Sequence, residues 1–591
     1  MFLGSLRSQR VLVTKPLSLS FLVLLISAAI VARGPTQSPT MQLWYWHHSY
    51  LSNDHALETS KALVDHAAAL GYNGVAIWDS NFNFISNDWW PVGSNSRLRE
   101  LMNYAANKHM TVMATTGLFG LSNEVLEANP SWAEGIRVVG TEFQVNPTGR
   151  RLVLKNSFPG LANPSFEAGK TAWFDTGDEG VGINVVAHTG KSSAVIVDAP
   201  ANARLRQKIR LKPWRAYHLR LFFRSSHFHG SAAASVFEAG DKDKVRLYAP
   251  LEANGTHDWT QVDYMFNSQD STEAYLYFGV WGGSSGVLWF DDIQIEETAL
   301  VYVIRRAGTP LRVYDPRNPA TIYKEGADFD PVGDPRMSSS RTPFTDVYHD
   351  PAPITLPGNT HLAAGQIVAV DSYSAFPIPG LNGVSMCMTE PGVAKWIAKN
   401  ARTLSQMVPS GGGVLVGYDE IRQMNSCASC RAKNMTAGQL LAWSIGESTH
   451  VYHSALPASP LYTWSDMFDP YHNAHDHYSY VEGDLTGSWK GLSPDLRILN
   501  WNLENLNKSL VWFSGSDPRQ PIAHQQVIAG YYDTHNGTAA ARRELSQAAG
   551  VPGILGVMYT SWADDYSQLE SYAKAAKAGW SGYLASVRKT P

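Results

Sequence analysis

Gly-Val-Leu-Val-Gly-Tyr-Asp-Glu, residues 413–420, follows two further glycines, Gly411 and Gly412, and ends in adjacent carboxylates. An apolar run this short, set between chain breakers, has the pattern of a parallel strand buried on both faces. Charge is tolerated in such a strand only where it emerges. In a (β/α)8 barrel the C-terminal strand ends open into the active site. Asp419 and Glu420 are therefore candidates for chemistry. The competing local reading is a helix N-cap, a common place for Asp after a strand.

Working outward, strand-like runs at Gln42–His47, Gly74–Asp79 and Thr111–Thr116 alternate with helical periodicity at Ala56–Leu70 and Ser96–His109. That rhythm predicts parallel strands joined by crossover helices. It resumes from Gln366, with strands at Ile367–Tyr373, Val414–Tyr418, Leu461–Trp464, Arg497–Trp501, Gln526–Tyr531 and Ile554–Ser561. Helices fall at Val393–Gln406, Ala437–Ser454 and Gln568–Ala578. The nine strands are one more than a (β/α)8 barrel holds, so one of them is a decoration.

Between the two alternating stretches, residues 150–298 carry short β-rich runs and no long amphipathic helix, which predicts a jelly-roll β-sandwich. Its opening Asn163-Pro164-Ser165-Phe166-Glu167 and closing Trp289-Phe290-Asp291-Asp292-Ile293 resemble carbohydrate-binding modules of the jelly-roll type. The resemblance implies either a sugar-binding module or a spacer. The expected architecture is an α/β (β/α)8 barrel of the TIM type interrupted by an all-β sandwich. Its first part spans 41–149, the sandwich 150–298, a return segment 299–365, and the second barrel part with the Asp-Glu pair 366–591.

Residues 1–33 read as a signal peptide. Arg7, Arg10 and Lys15 precede an apolar run from Leu17 to Ala32, and an uncleaved anchor is the alternative. The expected location is secreted or periplasmic, with no later run long and apolar enough to span a bilayer. A net charge of −4 leaves no basic footprint for nucleic acid. The 19 Trp and 26 Tyr supply flat, partly polar rings suited to sugar faces.

Cys387, Cys427 and Cys430 make neither a disulfide framework nor a four-ligand thiolate site. A local disulfide or loop staple between Cys427 and Cys430 is favoured over a metal site completed by Cys387 or a histidine. Tyr471–Tyr478 carries His472, His475 and His477, but their spacing matches no zinc pattern. No metal or cofactor is expected.

Several predicted strand ends carry polar or aromatic side chains: Trp46 and His47, Trp78 and Asp79, Tyr418 and Arg422 beside the Asp-Glu pair, Trp464 and Asp466, Trp501, Tyr531, Tyr559 and Trp562. In a barrel such ends converge on one pocket. Aromatic platforms with a few carboxylates have the profile of a saccharide site. Elbow, Walker, dinucleotide and H-E-x-x-H motifs are absent, which leaves carboxylate chemistry as the leading enzyme class.

Val-Leu-Val-Gly-Tyr-Asp-Glu-Ile, 414–421, with a cysteine several residues on, resembles the strand-end motif of family 20 glycoside hydrolases, the β-N-acetylhexosaminidases. Tyr-Thr-Trp-Ser-Asp-Met-Phe at 462–468 is similar to that family's tryptophan-aspartate strand, and Tyr-Thr-Ser-Trp at 559–562 to its closing aromatic wall. The resemblance covers mainly residues 410–470. It implies a hydrolase of N-acetylhexosamine-containing glycans, with an oligosaccharide or polysaccharide as partner. The substrate's 2-acetamido oxygen would replace the enzyme nucleophile of ordinary retaining glycosidases. Glu420 would then be the general acid/base, and Asp419 would orient the acetamido group. Two alternatives stay open. A glycosidase on other sugars would pair Glu420 with Asp466, Asp533 or Asp564; a glycan-binding protein would turn nothing over.

Overall fold

A computed structural model describes residues 40–84, 94–116, 119–175, 179–339, 343–381, 383–533 and 537–588; the expected signal or anchor segment lies outside them. Eight parallel strands close on themselves: β1 (Gln42–His48), β2 (Gly74–Trp78), β3 (Thr111–Thr116), β4 (Gly413–Val416), β5 (Leu461–Trp464), β6 (Arg497–Asn500), β7 (Gln526–Tyr531) and β8 (Ile554–Thr560). β8 pairs with β1 through Gln42 and Gly556, which completes the ring.

The period of two along each strand divides its side chains between two cores. Trp44, Trp46, Ala76, Met113, Leu415, Tyr462, Trp464, Leu499, Val527, Ala529 and Met558 fill the barrel interior. Their neighbours Tyr45, Val75, Val112, Val414, Val416, Leu461, Ile498, Ile528 and Val557 face outward into a larger core shared with the helices. Burying each large side chain there contributes about 1.5–3 kcal/mol, so a strand holds its place from both faces. The helices begin where short polar side chains satisfy free backbone N–H groups. Asn53 accepts from Ala56 N–H ahead of Asp54–Ala69, and Thr436 and Gln439 form a capping box ahead of Ala437–Ala455.

β3 and β4 are neighbours in the ring, with Met113 opposite Gly413, yet almost three hundred residues separate them in the chain. That insertion contributes two open sheets. In the first, of eight strands, Ala216–Glu238 and Glu273–Thr298 run antiparallel along their whole length. The first half of Ala216–Glu238 pairs with Gly255–Asn267 and its second half with Asp241–Pro250. Long strands shared between two sets of partners are consistent with an inserted β-sandwich. Its separate core holds Phe166, Trp173, Leu205, Leu219, Phe278 and Phe290.

The second sheet orders Asn318–Tyr323, Arg312–Asp315, Ile367–Ser374, Ile136–Val145, Arg151–Leu154 and Ile354–Thr355. It corrects the expected division of the chain. Ile367–Ser374 is the surplus ninth strand and pairs antiparallel with Ile136–Val145, so the barrel resumes at Gly413 and not at 366. Its residues are mostly buried, and a short apolar run buried in either sheet reads the same from sequence. Likewise Ile136–Val145, expected in the first barrel part, belongs to this sheet, as do three strands of the expected return segment. Among the described residues no helix is long and apolar enough to cross a membrane.

Candidate active site

β4 ends at Val416 and its alternation runs on into the loop. Leu415 faces the barrel interior, and Tyr418 faces out. The Tyr418 hydroxyl lies 2.7 Å from Ser444 Oγ and 2.8 Å from Ser448 Oγ on the helix behind it, and its ring stacks on Phe119 at 4.5 Å. Asp419 therefore points inward. Glu420, next in line, would point outward on an extended backbone. Instead its φ is +46°, a left-handed conformation uncommon outside glycine, and this turns its side chain back to the same side. Both carboxylates line one cavity of about 350 Å³ at the C-terminal mouth of the barrel, with Leu121, Leu381, Trp464, Trp501, Thr560 and Trp562.

Hydrogen bonds fix this turn. Glu420 N–H donates to Asp466 Oδ2 at 2.8 Å, and Arg422 Nη2 donates to Glu420 Oε1 at 2.7 Å. Asp466 is fully buried and also accepts from Asn473 Nδ2 at 2.9 Å and Trp501 Nε1 at 3.3 Å. It ties the Glu420 backbone to a wall of the cavity. From the other side Gly120 packs flat on the loop. A Cβ there would collide with the Asp419 and Glu420 carbonyl oxygens.

Asp419 Oδ1 is buried with no hydrogen-bond partner among the described residues. Burial holds the Asp419 carboxyl well above the usual carboxylate range, and the charges of Asp466 and Glu420 push the same way. Burial also raises Glu420, opposed by the Arg422 guanidinium and reinforced by Asp466. A carboxyl that keeps its proton nearer neutral pH is suited to general acid work.

The rest of the wall is aromatic. Trp46 lies 5.5 Å from Trp464 and 5.0 Å from Trp562, between ring centroids, and Trp501 meets His472 edge-on at 4.4 Å. Trp562 is 46% exposed, the most open indole of this group. Its backbone is held by Asp533, which accepts from Trp562 N–H at 2.7 Å and Ala563 N–H at 3.1 Å. Asp564 lies 2.8 Å from His48 Nδ1, whose Nε2 accepts from Trp46 Nε1 at 3.0 Å.

Of the residues singled out in the sequence, Asp419, Glu420, Trp464, Trp501 and Trp562 come together around the cavity. Trp46 stands beneath them in the interior, and Asp466 and Arg422 brace the turn. The others lie elsewhere. His47 faces outward, buried beside Tyr566, and burial lowers its pKa to about 3, so it stays neutral. Tyr418 and Tyr559 also face outward, the latter stacked on Tyr532 at 5.2 Å. Asp79 caps the turn after β2, accepting from Leu51 and Asn81 N–H groups. Trp78 packs edge-on against His48 at 5.0 Å, outside the cavity lining. The Tyr531 side chain falls outside the described residues.

Sequence reasoning missed Leu121, Leu381, Ala529 and Gly530, and quoted Thr560 within its strand-end run without singling it out. Thr560 was accessible, lying two residues past the inward-facing Met558 on β8. Leu121 and Leu381 come from the two ends of the insertion, and no local pattern marks them.

No family model matches the chain, and no curated protein matches it. Solved structures similar to part of it include a Family 16 Carbohydrate Binding Module-2, at 21% identity and TM-score 0.20, covering 23% of this chain and 97% of that one. TmCBM61 in complex with beta-1,4-galactotriose matches at 20% identity and TM-score 0.19, covering 23% and 97%. The CBM22-1 xylan-binding domain from Paenibacillus barcinonensis Xyn10C matches at 16% identity and TM-score 0.20, covering 26% and 99%. At these identities and scores the likeness carries no argument for a ligand or an activity.

Proposed function

We propose that the chain is a glycoside hydrolase acting on N-acetylhexosamine-containing glycans by substrate-assisted retention. The observation that supports it most is the turn at Glu420, which sets two adjacent carboxyls in one aromatic-walled cavity. Glu420 protonates the leaving oxygen while the substrate's acetamido oxygen attacks the anomeric carbon. Asp419 accepts from the acetamido N–H through its unpartnered Oδ1 and so orients that group for attack. Water then opens the cyclic intermediate, with the Glu420 carboxylate as base. The exposed face of Trp562 is the platform for the sugar ring.

The geometry weighs against a second enzyme carboxylate as nucleophile. Asp466 and Asp533 are committed to backbone and side-chain donors, and Asp564 is paired with His48. None of the three lines the cavity.

Aryl β-glycosides with and without the 2-acetamido group test the reading. Hydrolysis confined to the N-acetylhexosaminide is the expected result. Comparable turnover of the plain hexoside would remove substrate assistance, and binding without any turnover would favour the glycan-binding reading.

A further inference from the structure

Glu134, Cys387, Cys427 and Cys430 converge away from the cavity, and all four are fully buried. Their ligand atoms lie within 4.8 Å of one another. The three cysteines are free thiols, so the disulfide expected between Cys427 and Cys430 is not formed. Cys387 Sγ is 3.6 Å from both Cys427 Sγ and Cys430 Sγ, and Cys430 Sγ is 3.5 Å from Glu134 Oε2. A disulfide needs about 2.05 Å between sulfurs. Tetrahedral zinc, with Zn–S near 2.3 Å, places its sulfurs about 3.8 Å apart. The cluster has the second spacing.

We infer that these four side chains bind one zinc ion as a closed, structural Cys3Glu site. Three soft thiolates select zinc over hard cations such as calcium or magnesium. Four protein ligands leave no open position for water, so the site holds structure and does no chemistry.

The surroundings are built for the ion. Glu134 Oε1 accepts from both Ser426 and Cys427 N–H at 2.9 Å, which orients the carboxylate and leaves Oε2 to the sulfurs. Ser429 Oγ lies 3.1 Å from Cys427 Sγ, and Thr389 Oγ1 lies 3.2 Å from Cys430 Sγ. Three thiolates and a carboxylate exceed the charge of one zinc. The Arg306 guanidinium, fixed to Ser131 O and Ala133 O just ahead of Glu134 and shared with Glu390 at 3.5 Å, offsets part of the remainder. Without a cation, a fully buried carboxylate beside three thiols is costly.

The site joins three stretches of chain. Glu134 lies where the insertion leaves the barrel and Cys387 where it returns. The two stretches are laced by Glu134 N–H to Ser385 O and Cys387 N–H to Trp132 O, each 2.8 Å. Cys427 caps, and Cys430 lies in, a one-turn helix, Ala428–Arg431, within the loop region after β4 that also carries Asp419 and Glu420. Zinc would pin that loop to both ends of the insertion.

The test is the metal content of the full chain, purified without chelator from zinc-supplemented medium, with X-ray absorption at the zinc edge. About one zinc per chain is expected, with three sulfurs near 2.3 Å and one oxygen near 2.0–2.2 Å. Cys387→Ser and Cys430→Ser should lose it. The absorption measurement on the unaltered chain stands even if those variants fail to fold. Substoichiometric zinc, another metal in its place, or a Cys427–Cys430 disulfide in a non-reducing peptide map would overturn the assignment. Each readout is independent of turnover, so it can fail or succeed apart from the proposed hydrolase activity.

Discussion

Glu420 is the residue on which the site depends, because its left-handed backbone breaks the alternation that would part it from Asp419. A non-glycine residue held there costs about 1–3 kcal/mol. One hydrogen bond to a charged acceptor contributes about 1.5–3 kcal/mol, enough for the Asp466 carboxylate to hold the turn through Glu420 N–H. The adjacent carboxyls could be read from the sequence at once. Their shared direction could not, since glutamate is not a residue that announces a positive φ. Asp419 makes a prediction of its own. Burial raises its folded pKa above the ordinary 3.8, so the folded state binds its proton more tightly than the unfolded state does. Its contribution is fully present below about pH 4 and is lost as pH rises through the folded pKa. Asp419→Asn should therefore raise the thermal midpoint near neutral pH, by an amount that shrinks towards zero on acidification. Melting curves of both proteins from acid to neutral pH check this; a gain independent of pH would contradict it.

At the scale of elements, the strands were legible and their faces were not. A barrel strand buried on both sides carries apolar residues throughout, so its sequence shows no solvent face to count from. A one-residue change of phase moves every side chain to the other side. That is why His47, Tyr418 and Tyr559 read as site residues beside Trp46 and Asp419, although Tyr418 and Tyr559 face the outer core and His47 packs beside Tyr566. The helix Leu506–Phe513 escaped notice for a related reason: it is short, and no side-chain cap bond marks its start. The loop after β4 has one more requirement, close backbone contact at Gly120. Gly120→Ala would press a methyl group onto the Asp419 and Glu420 carbonyls, which are backbone and cannot swing aside. The expected outcome is a loss of about 1–3 kcal/mol of stability. Turnover should fall with it while far-UV circular dichroism stays unchanged. Unaltered kinetics in this variant would show that the loop tolerates displacement.

For the whole molecule, the interrupted β/α rhythm showed a barrel with something inserted after its third strand, and closely spaced short strands showed the insertion to be β-rich. The six-stranded sheet stayed hidden because its strands come from distant stretches, Ile136–Val145 meeting Ile367–Ser374 across the entire sandwich. Nothing local encodes such a pairing. Glu134 was obscured in the same way: the sequence offered Cys387 or a histidine beside Cys427 and Cys430, and the carboxylate joins them only through that long return. The barrel, the turn and the aromatic wall together support the proposal that Glu420 supplies a proton to a glycosidic leaving oxygen. It is tested most directly by comparing Glu420→Gln with the unaltered chain on two N-acetylhexosaminides, one with an alkoxide leaving group and one with a dinitrophenolate that departs without a proton. The account predicts a fall of about 10²–10⁴-fold on the first and a much smaller loss on the second. Equal losses on both substrates, or full activity on both, would contradict it.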